Sequence, residues 1–127
     1  MAFDWAEYLR LAKELAQRQD DEAAHRSAIS RAYYAAYCRA CAYLNQKNIP
    51  IPQGEGSHDR VWKSFKDLPG RTHSGIHNNG DRLKRKRVQA DYYQQDSVSA
   101  KDAAGAVAVS TIILGYLAQV SGQSQAE

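Results

Sequence analysis

The chain is poor in residues that break or staple a fold: its 127 residues include three prolines and two cysteines. So few prolines leave long stretches free to run as helix. The two cysteines, Cys38 and Cys41, are too few for a disulfide-stapled mini-domain. Their CxxC spacing suits zinc, but no second ligand pair follows at a workable distance. The expectation is therefore no metal and no cofactor, with both thiols packed as small residues on a helix. Apolar bulk is also scarce, with Leu, Ile, Val and Phe numbering 22 together. Disorder would require a high net charge as well, and the net is only +3. No apolar run reaches the roughly 20 residues that cross a bilayer, and the acidic, amphipathic start "MAFDWAEYLR" lacks the basic lead of a signal segment. These absences point to a cytoplasmic protein with no membrane partner.

Alanine and tyrosine fill the gap, with 20 alanines and eight tyrosines. Alanine loses no side-chain entropy in a helix and lets helices approach closely, within one subunit or between two. The length suits one core, so the expected organisation is a single domain over 1–120 and a flexible tail over 121–127. Charge is unevenly spread. Residues 60–90 hold nine Lys and Arg against Asp67 and Asp81, a local +7, whereas the remainder holds eight against twelve acids, or −4. A basic island sits in an acidic chain.

Apolar periodicity predicts the elements. Asp4 and Glu7 form a capping-box pattern ahead of Trp5, Tyr8, Leu9, Ala12, Leu15 and Ala16, giving a helix over about 4–18. An alanine-rich stretch without Gly or Pro predicts one long helix over about 21–46. "NIPIPQGEG" then reads as a loop. Ser57 is expected to cap a short helix ending near Asp67, with Val61, Trp62, Phe65 and Leu68 as its apolar stripe. "PGRTHSG" reads as a break before a helix over about 76–93, and a last helix over about 99–120, apolar almost all round, is expected at the centre. The fold class is all-α: an up-and-down bundle of four main helices plus one short helix.

Polar residues concentrate on two helices. In the fourth, Ile76, Gly80, Leu83, Arg87 and Ala90 follow heptad spacing, which turns Arg87 inward and leaves Arg82, Lys84, Arg85 and Lys86 elsewhere. A buried guanidinium without a partner costs several kcal/mol, so Arg87 needs an anion beside it or an opening to line. Asp91, one turn on, can pair with it. In the long helix Arg31, Tyr34 and Cys38 share one face and Tyr33 and Tyr37 another. An arginine among tyrosine hydroxyls suits either a satisfied interior network or a phosphate site. His25 and His58 stand alone and read as surface or capping residues.

The stretches "RSAISRAYYAAYCRACAYL", "HDRVWKSF" and "GDRLKRKRVQADYY", in that order over most of the chain, resemble the HEPN superfamily. The resemblance implies a helical bundle that commonly forms a homodimer around a composite cleft. It further implies RNA or nucleotide as ligand, a place in a prokaryotic toxin-antitoxin or phage-defence system, and a nucleotidyltransferase antitoxin as neighbour. Many such proteins are metal-independent ribonucleases. In these an arginine, followed after four to six residues by a histidine, stabilises phosphate charge while the histidine moves a proton. Arg87 matches the arginine, with Arg31, Tyr34, Arg82, Lys84, Arg85 and Lys86 as candidate phosphate ligands. Val88 to Tyr93 contain no histidine, and Asp91 stands in the place of one. An aspartate is ordinarily ionised at pH 7 and a tyrosine is a poor base there. A literal match lies elsewhere, Arg71 with His77, an alternative catalytic pair. Tyr92 and Tyr93 partly match a tyrosine that the partner nucleotidyltransferase modifies with AMP. Besides RNA binding with or without cleavage, the residues allow a non-catalytic dimerisation or partner-docking module. A DNA-binding regulator fits less well, because no helix-turn-helix signature accompanies the basic run.

Overall fold

The computed structural model describes residues 2–122, all in helices and connecting segments. The five helices are α1 (Ala6–Ala16), α2 (Glu22–Gln46), α3 (Ser57–Lys66), α4 (Arg71–Tyr92) and α5 (Ala100–Ser121). Helix α2 packs against α1, α4 and α5, while α3 lies against α4. The result is the all-α bundle of four main helices plus a short one.

Local chemistry sets most helix ends. Asp21 caps α2 by accepting the Ala24 N–H, and Ser99 with Asp102 closes a reciprocal capping box on α5. The box expected at α1 forms only in part. Asp4 accepts the Ala6 N–H, but Glu7 turns to Arg10 instead. At α3 the cap is Gly56 rather than Ser57, because the chain enters with φ +73°, a left-handed turn that favours glycine. Ser57 becomes the first helical residue.

Helix α4 begins at Arg71, five residues before the expected start. Gly75 and Gly80 look like breakers in the sequence, but both serve packing. A Cβ on Gly75 would stand 2.7 Å from the Tyr116 ring, and one on Gly80 would stand 2.1 Å from the Trp62 indole. The two glycines let α5 and α3 approach α4 from its two sides.

Helix α5 is less central than expected. Ala103, Ala106, Val109, Ser110, Ile113 and Leu117 face the core, whereas Ala104, Gly105, Ala108, Ile112 and Gly115 are exposed. By length and composition it is long and apolar enough to cross a membrane, with a mean hydropathy of 1.7, contrary to the expectation of no such run. A third of that window is buried in the bundle. Of the expected tail, Ser121 completes α5, Gly122 caps it in a left-handed turn, and the rest lies outside the described residues.

The core joins Leu9 and Ala12 of α1, Tyr33, Ala36 and Leu44 of α2, Trp62 and Phe65 of α3, Leu83 of α4 and Ile113 of α5. Close alanine contacts replace aliphatic bulk along α2, where Ala28, Ala32, Ala35, Ala36 and Ala40 are fully buried.

Candidate phosphate site between α2, α3 and α4

The buried residues of α4 are Ile76, Gly80, Leu83, Arg87 and Ala90, the heptad face expected from the sequence. Arg87 is therefore inside, only 8% exposed. Its Nε has no hydrogen-bond partner among the described residues. Its Nη1 stands 3.6 Å from Asp91 Oδ2, an ion contact beyond good hydrogen-bond length. Aromatic faces surround the guanidinium instead. Its Cζ lies 5.3 Å from the Tyr33 ring centre, 5.6 Å from Tyr34 and 5.8 Å from Tyr92, all within cation–π range.

Helix α2 supplies the opposite wall. Ser30, Tyr33, Tyr34 and Tyr37 recur at three- and four-residue steps, so they share a face. Ser30 donates to Asp91 Oδ2 at 3.3 Å. Tyr34 takes a second arginine, since Arg31 Cζ lies 5.4 Å from its ring and 4.6 Å from Tyr8 of α1. Two guanidinium groups thus contact one tyrosine ring from different helices. The sequence reading placed Tyr33 and Tyr37 on a different face from Tyr34, but all three converge here.

The first turn of α3 closes the site. His58 stacks on Tyr37 with ring centres 4.0 Å apart and planes 4° from parallel. Its Nδ1 lies 2.7 Å from the Tyr33 hydroxyl. Trp62 Nε1–H donates to the same hydroxyl at 3.1 Å. Beside His58, Asp59 accepts from Lys84 of α4 at 2.8 Å, and that bond holds the Asp59 carboxyl below the usual range. Burial, followed by the charges of Arg87 and Lys84, pushes the His58 imidazole below its ordinary value. Burial raises the Tyr33 phenol far above the ordinary range.

The other expected site residues are dispersed. Lys84 faces α3, whereas Lys86 lies on the α5 side with Ile29, Val98 and Asp102. Arg85 pairs with Asp81 at the surface, and Arg82 is exposed. The basic run is thus distributed around α4 rather than forming one grip. Arg71 and His77, six residues apart on one helix, point about 120° apart. His77 Nδ1 meets the Trp62 carbonyl at 3.0 Å, and Arg71 is exposed. That pair lies toward the start of α4, away from Arg87. Tyr92 and Tyr93 are 70% and 54% exposed. Cys38 and Cys41 are free, and burial pushes the Cys38 thiol up to about 11, so it stays protonated at neutral pH. Among the described residues no group of three or more His, Cys, Asp or Glu side chains is placed to hold a metal ion.

Sequence reasoning missed His58 and Ser30. Ser30 was accessible from its spacing to Tyr33, Tyr34 and Tyr37. His58 was not, because its neighbours come from other helices. Chemically, the site offers positive charge, aromatic faces and hydroxyl donors around an incompletely satisfied guanidinium. The chain matches no known family model, no curated protein and no solved structure.

Proposed function

We propose that the face between α2, α3 and α4 binds phosphate groups of RNA or of a nucleotide. In this reading the chain is a HEPN-like module of a prokaryotic toxin-antitoxin or defence system. It acts as a homodimer, with a nucleotidyltransferase antitoxin as its partner. The observation that carries the reading is Arg87: a side chain nine-tenths buried, without a partner on Nε among the described residues, beside an aspartate that it meets only at 3.6 Å. Buried charge with few hydrogen bonds is costly, and a phosphate oxygen meeting the Nη atoms at the open edge of the guanidinium would supply a charge-assisted acceptor, while the enclosed Nε stays out of its reach. Arg31 and the Tyr34 hydroxyl are the next ligands, and exposed Tyr92 is available to stack on a base.

The test is equilibrium binding of a single-stranded RNA oligonucleotide and of a nucleotide as salt is varied. Affinity should fall as salt rises, and Arg87→Met should abolish the interaction. Absence of binding at low salt overturns the reading. Incubation with total RNA in EDTA then separates two forms of it. Cleavage lost in Arg87→Met identifies a metal-independent ribonuclease, and intact RNA with retained binding identifies a binding module.

A second reading, a non-catalytic dimerisation or docking module, draws support from the exposed face of α5. There Ala104, Gly105, Ala108 and Gly115 would let another helix approach closely. Sedimentation of the Ala108→Arg variant tests it, with a shift from dimer to monomer as the expected result.

A further inference from the structure

The imidazole of His58 has a defined proton arrangement. Tryptophan Nε1–H only donates, so the Tyr33 oxygen accepts from Trp62 at 3.1 Å. Tyr33 is completely buried and, as burial raises its phenol so far, it keeps its proton. Among the described residues the other hydrogen-bond partner of that hydroxyl is His58 Nδ1, 2.7 Å away. The chain of donors therefore runs from Trp62 to Tyr33 to His58, which makes Nδ1 an acceptor and puts the imidazole proton on Nε2. The ring cannot rotate freely, because it lies flat on Tyr37 at 4.0 Å and edge-on to Tyr34 at 6.1 Å.

Arg87 and His58 contact the same two tyrosines: the guanidinium is 5.3 and 5.6 Å from the Tyr33 and Tyr34 rings, and the imidazole 5.7 and 6.1 Å. Resting on the phosphate reading of Arg87, we propose that His58 is the second ligand of the same anion, presenting Nε2–H as an uncharged donor to a phosphate oxygen. Charge explains why an uncharged donor suits this place. Lys84 and Arg87 of α4 already face it, opposed by Asp59 of α3 beside Lys84 and by Asp91 of α4 beside Arg87, and α2 contributes the hydroxyls of Tyr33, Tyr34 and Tyr37. A further cation would repel two existing ones, whereas a neutral N–H adds a hydrogen bond without that cost. Protonating Nδ1 would also set two protons between His58 and Tyr33 and break the chain from Trp62. With Nδ1 occupied and Nε2 protonated, His58 is built to hold an anion rather than to accept a proton from a ribose hydroxyl. The role expected for the missing histidine is therefore not supplied by this one.

Nitrogen-15 NMR of the full chain tests the arrangement directly. At pH 7 His58 should show the Nε2–H tautomer, and its Nε2 resonance should move on titration with a short single-stranded RNA. An Nδ1–H tautomer, or an unmoved Nε2 while the RNA binds, overturns the assignment. His58→Phe keeps the stacked ring and removes the donor, so RNA should bind about tenfold more weakly, the worth of one hydrogen bond to a charged group. Tyr33→Phe removes the hydroxyl that holds Nδ1. His58 should then titrate at higher pH than in the parent, with binding that strengthens as pH falls. If Arg87→Met abolishes binding but His58→Phe binds as the parent does, the inference on His58 fails while the reading of Arg87 stands. If the parent does not bind RNA at low salt, both fail, and the tautomer still reports whether the donor chain exists.

Discussion

Replacing Arg87 with methionine should remove ligand binding and leave the fold almost as stable as before. The balance follows from what surrounds the guanidinium. Desolvating a charge at 8% exposure costs several kcal/mol. Opposing that are three cation–π contacts, to Tyr33, Tyr34 and Tyr92, each worth about 1 kcal/mol. The 3.6 Å contact with part-exposed Asp91 adds about 1 kcal/mol at most. These terms nearly cancel, so the charge contributes little net stability. Methionine retains the volume of the aliphatic stem and buries without a desolvation cost, and Asp91 has enough exposure to rehydrate. The expected change is within about 1 kcal/mol of the parent, or a shift in Tm of no more than about 4 °C. Thermal melting by circular dichroism, with RNA binding measured on the same sample, checks both halves. A fall in Tm above about 8 °C, equivalent to roughly 2 kcal/mol, would show Arg87 to be a structural tie and refute the reasoning. An unchanged affinity would refute the site.

Arg26 is the opposite case, a guanidinium satisfied by the chain itself: it donates to the carbonyls of Ala90 at 2.9 Å, Tyr93 at 3.3 Å and Asp96. Arg26→Ala strips acceptors at the end of α4 and should destabilise by about 2–3 kcal/mol, with faster amide exchange over residues 90–98. Gly80→Ala, whose Cβ meets the Trp62 indole, should cost about 2 kcal/mol or more through overpacking. Gly105→Ala and Gly115→Ala face open space and should each stabilise by about 0.5–1 kcal/mol in the same melting assay. His58 adds a pH dependence. Its folded value lies below the ordinary 6.5, so the unfolded chain binds the extra proton first. Its contribution to stability is whole above 6.5 and is lost as pH falls through the folded value. His58→Phe should flatten that part of a Tm profile between pH 7.5 and 5, and an unaltered profile would sink the argument.

The inward face of α4 was legible because heptad spacing leaves little choice: Ile76, Gly80, Leu83, Arg87 and Ala90 are its buried residues, arginine included. The long α2 was legible for the same local reason, an alanine-rich run with no breaker. The beginning of α4 was not, since Gly75 reads as a break until the Tyr116 ring is known to lie against it. Nor does the basic run reveal its own division, which depends on α3 covering the Lys84 side and α5 the Lys86 side. His58 is the clearest example of information held between elements. In sequence it is a polar residue in a first turn, and only the packing of α3 brings it to Tyr33 and Tyr37 of α2 and the charge of Arg87 on α4.

That packing also joins stability to the proposed function. A ten-residue helix such as α3 is too short to persist by itself in water, so its neighbours must hold it. Trp62, fully buried with Val61 and Phe65, ties it in three ways. Its indole fills the notch left by Gly80, its carbonyl meets His77, and its N–H begins the donor chain through Tyr33 to His58. The same side chain therefore anchors the helix and orients the imidazole. Gly80→Ala, by displacing Trp62, should weaken the fold and the proposed anion site together, whereas Arg87→Met should weaken the proposed site alone. The contrast follows from position: Gly80 sets where α3 lies, and Arg87 uses the space that its placement leaves beside α2.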